Sequence, residues 1–228
     1  MLHRIVNTYE EASQAVEQLG ILPLSNFIPG HPSLESLTEP GAWHTGADTD
    51  PWHWRVRFAA EGSAAYGRFL GLRPLLIARG VFPLVACLLA SPQSVQERYA
   101  AGLLARATVR IYEIIQQSPG IEVRVLRRRA GMQDKADKPA FDHALIALQN
   151  SADIVMSGVA ENRTAQGHNS GWSGTCYMLA EGWMEGHGIT PLQLSPTDAK
   201  TQLFAWLTPR WDEQALGYLH KKLAPFSS

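Results

Sequence analysis

The chain has few cysteines, almost no net charge and no long apolar run, and each shortage closes off a class of protein. Only two of its 228 residues are cysteine, Cys87 and Cys176, far apart in sequence and set among apolar neighbours. That excludes a disulfide framework and fits buried thiols in a reducing cytoplasm. A net charge of -1 excludes a polycation, so any affinity for nucleic acid has to come from a local patch. The longest apolar run, Val81 to Ala90, contains Pro83 and is too short to span a bilayer. The first residues turn polar too soon for a secretory signal. The expectation is a cytoplasmic protein with no membrane partner.

Familiar chemical motifs are missing too. There is no phosphate loop and no dinucleotide fingerprint. Ser170-Gly171-Trp172-Ser173-Gly174 has the wrong spacing for a nucleophile elbow, which needs Gly-x-Ser-x-Gly between strand and helix. Cys176 and His168 do not make a dyad by nearness in sequence alone. His44, Asp48, Asp50 and His53 are metal-ligand types, yet no pair has a familiar zinc-site spacing. The sequence therefore assigns no catalytic residue, no metal and no cofactor.

What is present is a well-buried chain, 45% hydrophobic and 18% charged, long enough for one large domain or two small ones. Thr8-Tyr9-Glu10-Glu11 is a capping box, expected to join the Thr8 side chain to the Glu11 amide and the Glu11 side chain to the Thr8 amide. The helix it opens carries Ala12, Ala15, Val16 and Leu19 on one face, and Gly20 ends it. Residues 26–50 are loop-like, with one helical turn at Ser33 to Leu37. Trp54, Val56 and Phe58 alternate with arginines like a strand, while Asp50-Pro51 equally suits a helix start. Ala65 to Leu70 and Leu75 to Arg79 read as a hairpin, and Val81 to Ala90 as a buried helix or strand. Residues 1–90 thus form a small α/β unit.

Residues 91–185 carry the most informative pattern. Ser91-Pro92 starts a connecting helix over Gln93 to Ala101. Leu104, Thr108, Ile111 and Ile115 then share a helical face, and a short helix runs from Glu122 to Ala130. A third helix, entered at Asp137 and Pro139, buries Phe141, Ala144, Leu145 and Leu148. Two strands, Ile154 to Val159 and Thr175 to Leu179, flank a polar loop from Glu161 to Gly174. Three helices followed by such a ribbon are the pattern of a winged helix. In residues 186–228, Ser195-Pro196 and Thr208-Pro209 open two helices that pack back on the first unit. The fold class expected is α+β: a winged-helix domain joined to a small α/β N-terminal unit, with C-terminal helices packing back.

Ala101-Gly102-Leu103-Leu104, Ile111-Tyr112, Pro119-Gly120, Leu126-Arg127, Gly131, Phe141-Asp142, Ala144-Leu145, Leu148-Gln149, Ile154-Val155 and Gly158 together resemble the bacterial AlkZ-related winged-helix proteins. Trp52-His53-Trp54 and Ala65-Tyr66-Gly67-Arg68 are similar to that family as well. The resemblance covers roughly residues 50–185 and implies the fold and an expectation of DNA binding. The better-known AlkZ-like DNA glycosylases excise alkylated or crosslinked bases and carry a Gln-x-Gln or Gln-x-Asp motif. Gln116-Gln117 and Gln133-Asp134 have the wrong spacing for it, so no catalytic residue is carried over.

The candidate interface follows from charge. Arg124, Arg127, Arg128 and Arg129 put four guanidinium groups into six residues, and such groups pair with phosphates bidentately. Arg124 and Arg128 share a helical face. On the third helix Lys138 is the clear cation, His143 and Asn150 lie opposite the apolar face, and Asp142 would repel phosphate. Arg163 lies in the wing loop, where it could enter a minor groove. The expected function is a non-catalytic winged-helix DNA-binding protein linked to DNA repair or regulation. Two alternatives stand beside it. One is a divergent DNA glycosylase acting on alkylated bases, with Asp50 or Glu61 activating water. The other is a protein-protein interaction module, supported by the weak charge of the third helix.

Overall fold

The computed structural model describes residues 5–71, 73–160 and 174–224. At the start, the Thr8 hydroxyl accepts from the Glu11 amide at 3.2 Å, and the Glu11 carboxylate accepts from the Asn7 amide at 2.9 Å. The first bond satisfies an amide that the opening helical turn leaves without a partner, and the second ties the residue before the cap back to the helix, one position earlier than the Thr8 amide that the capping box predicts. α1 (Tyr9–Leu19) buries Ala12, Ala15, Val16 and Leu19, the stripe its spacing predicts. Gly20 ends it at φ 75°, and the backbone turns into β1 (Ile21–Pro23). Ser33 caps the single turn α2 (Leu34–Leu37).

The segment that alternates like a strand, Trp54-Arg55-Val56-Arg57-Phe58, is helical. Asp50 and Pro51 decide it. The Asp50 carboxylate accepts from the amides of Trp52, His44 and Gly46 at 2.9–3.0 Å, which fixes a cap, and Pro51 sits in the first turn of α3 (Pro51–Glu61). Pro51, Trp54, Phe58 and Ala59 are its buried residues, a helical rather than a twofold spacing. β2 (Ala64–Gly67) and β3 (Leu75–Ala78) form the expected antiparallel hairpin, with Tyr66 opposite Leu76. Val81 to Ala90 resolves to a helix, α4 (Phe82–Leu89).

The connecting helix α5 (Val95–Ala100) starts later than Ser91-Pro92 predicts. Ser94 and Glu97 make a reciprocal capping box, and this pair outcompetes the earlier serine. Then come α6 (Arg106–Gln117), β4 (Ile121–Glu122), α7 (Val123–Arg129), α8 (Lys138–Asn150), β5 (Ile154–Ala160) and β6 (Gly174–Leu179). α6 buries Thr108, Ile111, Ile114 and Ile115, and α8 buries Phe141, Ala144, Leu145 and Leu148. The pair of residues in β4 is too short to leave a pattern in sequence. It forms an edge on β6, with Ile121 opposite Tyr177.

α9 (Ala180–Gly186) follows directly on β6 and buries Trp183, whose indole donates to the Ala59 carbonyl at 2.7 Å. α10 (Pro196–Leu207) starts at Ser195 as expected, but the last helix does not start at Thr208-Pro209. The Thr208 hydroxyl instead bonds back to the Phe204 carbonyl, and Asp212 caps α11 (Glu213–Lys222). These helices pack back on the first unit. α10 lies against α4, the Trp211 indole donates to the Leu19 carbonyl at 2.8 Å, and its ring stacks on His31 at 3.9 Å.

The architecture is α+β, with one antiparallel sheet in the order β1-β3-β2-β5-β6-β4. Strands from residues 1–90 and from 91–185 meet at β2 and β5, where Tyr66 faces Met156. Phe58, Phe69, Phe82 and Trp183 are fully buried, and the Phe82 and Trp183 rings meet edge to face at 5.5 Å.

Two stability tests follow. A Cβ on Gly20 would lie 2.2 Å from Trp206 Cζ3, at a backbone φ that side chains disfavour. Gly20→Ala should cost about 2–4 kcal/mol in urea unfolding. For Asp50, burial opposes the charge, but the amides of Gly46, Trp52 and His44 outweigh it and hold the carboxyl below its ordinary range. A depressed pKa contributes stability that is present above about pH 4 and lost as pH falls through the lowered value. Asp50→Asn should therefore lose about 1–3 kcal/mol at neutral pH, and its stability should vary less with pH than the parent's below about pH 4.

Candidate nucleic-acid interface

The arginine cluster of α7 separates into two kinds of side chain. Glu122 caps this helix, its carboxylate accepting from the amides of Arg124 and Val125 at 3.0 and 3.1 Å. Arg127 folds onto the turn that follows, donating to the carbonyls of Met132 at 2.5 Å and Asp134 at 2.6 Å. Arg129 donates to the Ser118 hydroxyl at 2.6 Å. Arg127 therefore braces the backbone after α7, and Arg129 ties the helix to the Ser118 side chain before it. Arg124 and Arg128 are exposed one turn apart. The Arg124 Nε lies 4.0 Å from the Glu122 carboxylate, and the Arg128 guanidinium has no ion pair or hydrogen bond among the described residues.

On α8 the four-residue spacing brings Lys138 and Asp142 together in an ion pair at 2.5 Å. The acid that would repel a polyanion is thus neutralised by its neighbour. His143 is exposed beside them. Asn150, at the far end, turns to the β2–β3 hairpin, where its side-chain oxygen accepts from the Gly71 amide at 2.8 Å. Gln149 does the same one residue earlier, accepting from the Arg68 amide at 2.9 Å while donating to the Leu145 carbonyl. Arg163, and the wing loop from Glu161 to Ser173, lie outside the described residues.

A cleft of about 560 Å³ opens between α8 and the sheet. Lys138, Asp142 and His143 line its helical side, Arg68 the end of β2, and Met156 and Tyr177 the strands. Arg68 and Tyr177 are the residues that sequence reasoning missed. Arg68 stands in the Ala65-Tyr66-Gly67-Arg68 string, but only pairing over 81 residues of sequence, through Gln149, shows that it borders α8. Burial pushes the Tyr177 phenol well above its ordinary value, with the nearby Tyr66 adding to the effect and Arg68 opposing it. Tyr66 is raised for the same reason, against the pull of Arg55 and Arg68.

The other groups of chemical interest lie apart from this cleft. All the bonds of Asp50 described above go to backbone amides, and Glu61 pairs with Arg57 at 2.7 Å. His53 Nε2 is 3.8 Å from the Asp50 carboxylate, and the His44 ring stacks against Trp52 at 4.8 Å. Among the described residues no three His, Cys, Asp or Glu side chains gather as a metal site would require. Burial, helped by Glu122, raises the Cys176 thiol and keeps it protonated, the opposite of an activated nucleophile. No helix among the described residues is long and apolar enough to cross a membrane.

No curated protein and no solved structure matches the chain. A family described as AlkZ related matches residues 6–224, nearly the whole length, and includes the helices, the sheet and the cleft just described. The chain belongs to the AlkZ-related family.

Proposed function

We propose that this protein is a winged-helix DNA-binding protein, non-catalytic, that serves DNA repair or regulation. The observation that carries the reading is the order α6-β4-α7-α8-β5-β6 with β4 paired to β6. That pairing closes three helices against a ribbon, the arrangement in which a third helix is offered to a groove. Residues 91–185 carry the interface, residues 1–90 supply the unit that shares their sheet, and residues 186–228 cover that unit. Arg124 and Arg128 hold phosphates, Lys138 and His143 approach from α8, and Arg163, outside the described residues, adds a further cation to the interface. Arg127 and Asn150 support the interface through the turn and the hairpin they bond. Membership of the AlkZ-related family favours a link to DNA repair.

A protein-docking reading has one observation in its favour. Leu103 and Tyr99 are exposed large hydrophobic side chains on the α5–α6 side of the molecule. The glycosylase reading would need an acid free to activate water, and Asp50 and Glu61 are both engaged.

The discriminating measurement is fluorescence anisotropy of a labelled duplex between 50 and 200 mM salt. With about three phosphate contacts, affinity should fall roughly 40-fold across that range. Replacing Arg124 and Arg128 together by Ala should lower the slope of log affinity against log salt by about two. Absence of duplex binding at 50 mM salt overturns the reading. Release of an alkylated base from a lesion-bearing duplex would replace it with the glycosylase.

A further inference from the structure

The cleft beside α8 contains an arginine whose backbone is fixed on both sides and whose side chain is exposed to the cleft. The Arg68 amide donates to Gln149 Oε1 at 2.9 Å, and Gln149 itself is 1% exposed. The residues after it, Phe69 and Leu70, are buried, and Leu70 takes the left-handed φ of 64°. Before it, Gly67 allows the close approach. A Cβ there would come within 2.8 Å of the Phe69 ring and 3.2 Å of Gln149 Oε1. Yet the Arg68 guanidinium has no ion pair or hydrogen bond among the described residues. The carboxylate that shares its cleft, Asp142, is taken by Lys138.

A second observation points the same way. Tyr177 is a buried residue that lines this cleft, and no hydrogen bond joins its hydroxyl to another described residue. A guanidinium, a phenolic O–H and the His143 imidazole thus line one cleft as hydrogen-bond donors. The group that answers such a set is an oxyanion. Arginine's planar fork fits phosphate oxygens in pairs. Beside a helix lying in a groove, the nearest anions are the phosphates of the strand that borders it.

We infer that the cleft receives a backbone phosphate of duplex DNA, held by the Arg68 guanidinium with the Tyr177 hydroxyl as a second donor. The inference rests on the DNA-binding reading above and extends the interface from α7 and α8 to the β2–β3 hairpin of the N-terminal unit.

The test uses the full chain and a fluorescein-labelled 20-base-pair duplex, with thermal melts confirming that each variant folds. At about 100 mM salt Arg68→Ala should bind about 5–10-fold more weakly, and its salt slope should drop by about one. Arg68→Lys should restore the slope without the full affinity, because an ammonium keeps the charge and loses the fork. Tyr177→Phe should lose about threefold with the slope unchanged, since it removes a neutral bond. Lys221→Ala, on the exposed side of α11, should follow the parent protein. If the parent binds with a clear salt dependence and Arg68→Ala keeps both affinity and slope, this inference alone falls. If the parent does not bind the duplex, the inference and the DNA reading fall together.

Discussion

One buried carboxamide fixes the relation between the two parts of the sheet that matter most. Gln149 uses its oxygen for the Arg68 amide at the end of β2 and its nitrogen for the Leu145 carbonyl on its own helix. Removed from water, such a group is stable only when both ends are satisfied, so it ties α8 to the hairpin at one register. Asn150 repeats the tie one residue on, through Gly71. Gly67 makes the approach sterically open. The orientation of α8 is thus set by the N-terminal unit as well as by the helices that precede it.

The charge distribution has the same economy. With a net charge of -1, the chain cannot attract a polyanion through its overall field. Two of the four arginines on α7 hold loop backbone and hydroxyl groups, where a planar guanidinium reaches several acceptors at once. Arg98 does similar work, joining α5 to the turn after α8 through Asp153 at 2.7 and 2.8 Å. The guanidinium groups of Arg128 and Arg68 make no ion pair with another described residue, and on α8 the charges of Lys138 and Asp142 cancel locally. Under the proposed DNA-binding function, such a surface would give modest affinity that depends strongly on salt.

Local chemistry was legible wherever one residue's neighbours in sequence are also its neighbours in space. Thr8 with Glu11, Gly20, and the stripes of α1, α6 and α8 all follow from spacing. The misreadings share a cause. Trp54, Val56 and Phe58 alternate by chance, and the decisive groups are the loop amides of His44 and Gly46 that Asp50 collects. Ser91 and Thr208 are good caps displaced by better-placed ones, Ser94 and Asp212. Of the candidate interface, the cations on α7 and α8 were visible from composition. The use of Arg127 and Asn150 as braces, and the place of Arg68 and Tyr177, depend on contacts over long separations, which periodicity does not encode.

Sheet continuity carries a consequence for how α8 can meet a partner. In a free-standing arrangement of three helices and a ribbon, both flanks of the third helix are open. Here the hairpin from β2 to β3 stands against one flank, bonded at Arg68 and Gly71, while α6 packs on the buried face. The exposed residues of α8 are Lys138, Pro139, Ala140 and His143, and apart from Lys138, which is paired with Asp142, they have little capacity to read base edges. The donors gather on the flank instead, where Arg68 and Tyr177 face Lys138 across the cleft. Under the proposed DNA-binding function, a helix built this way would follow the path of a backbone more readily than read the sequence between its strands.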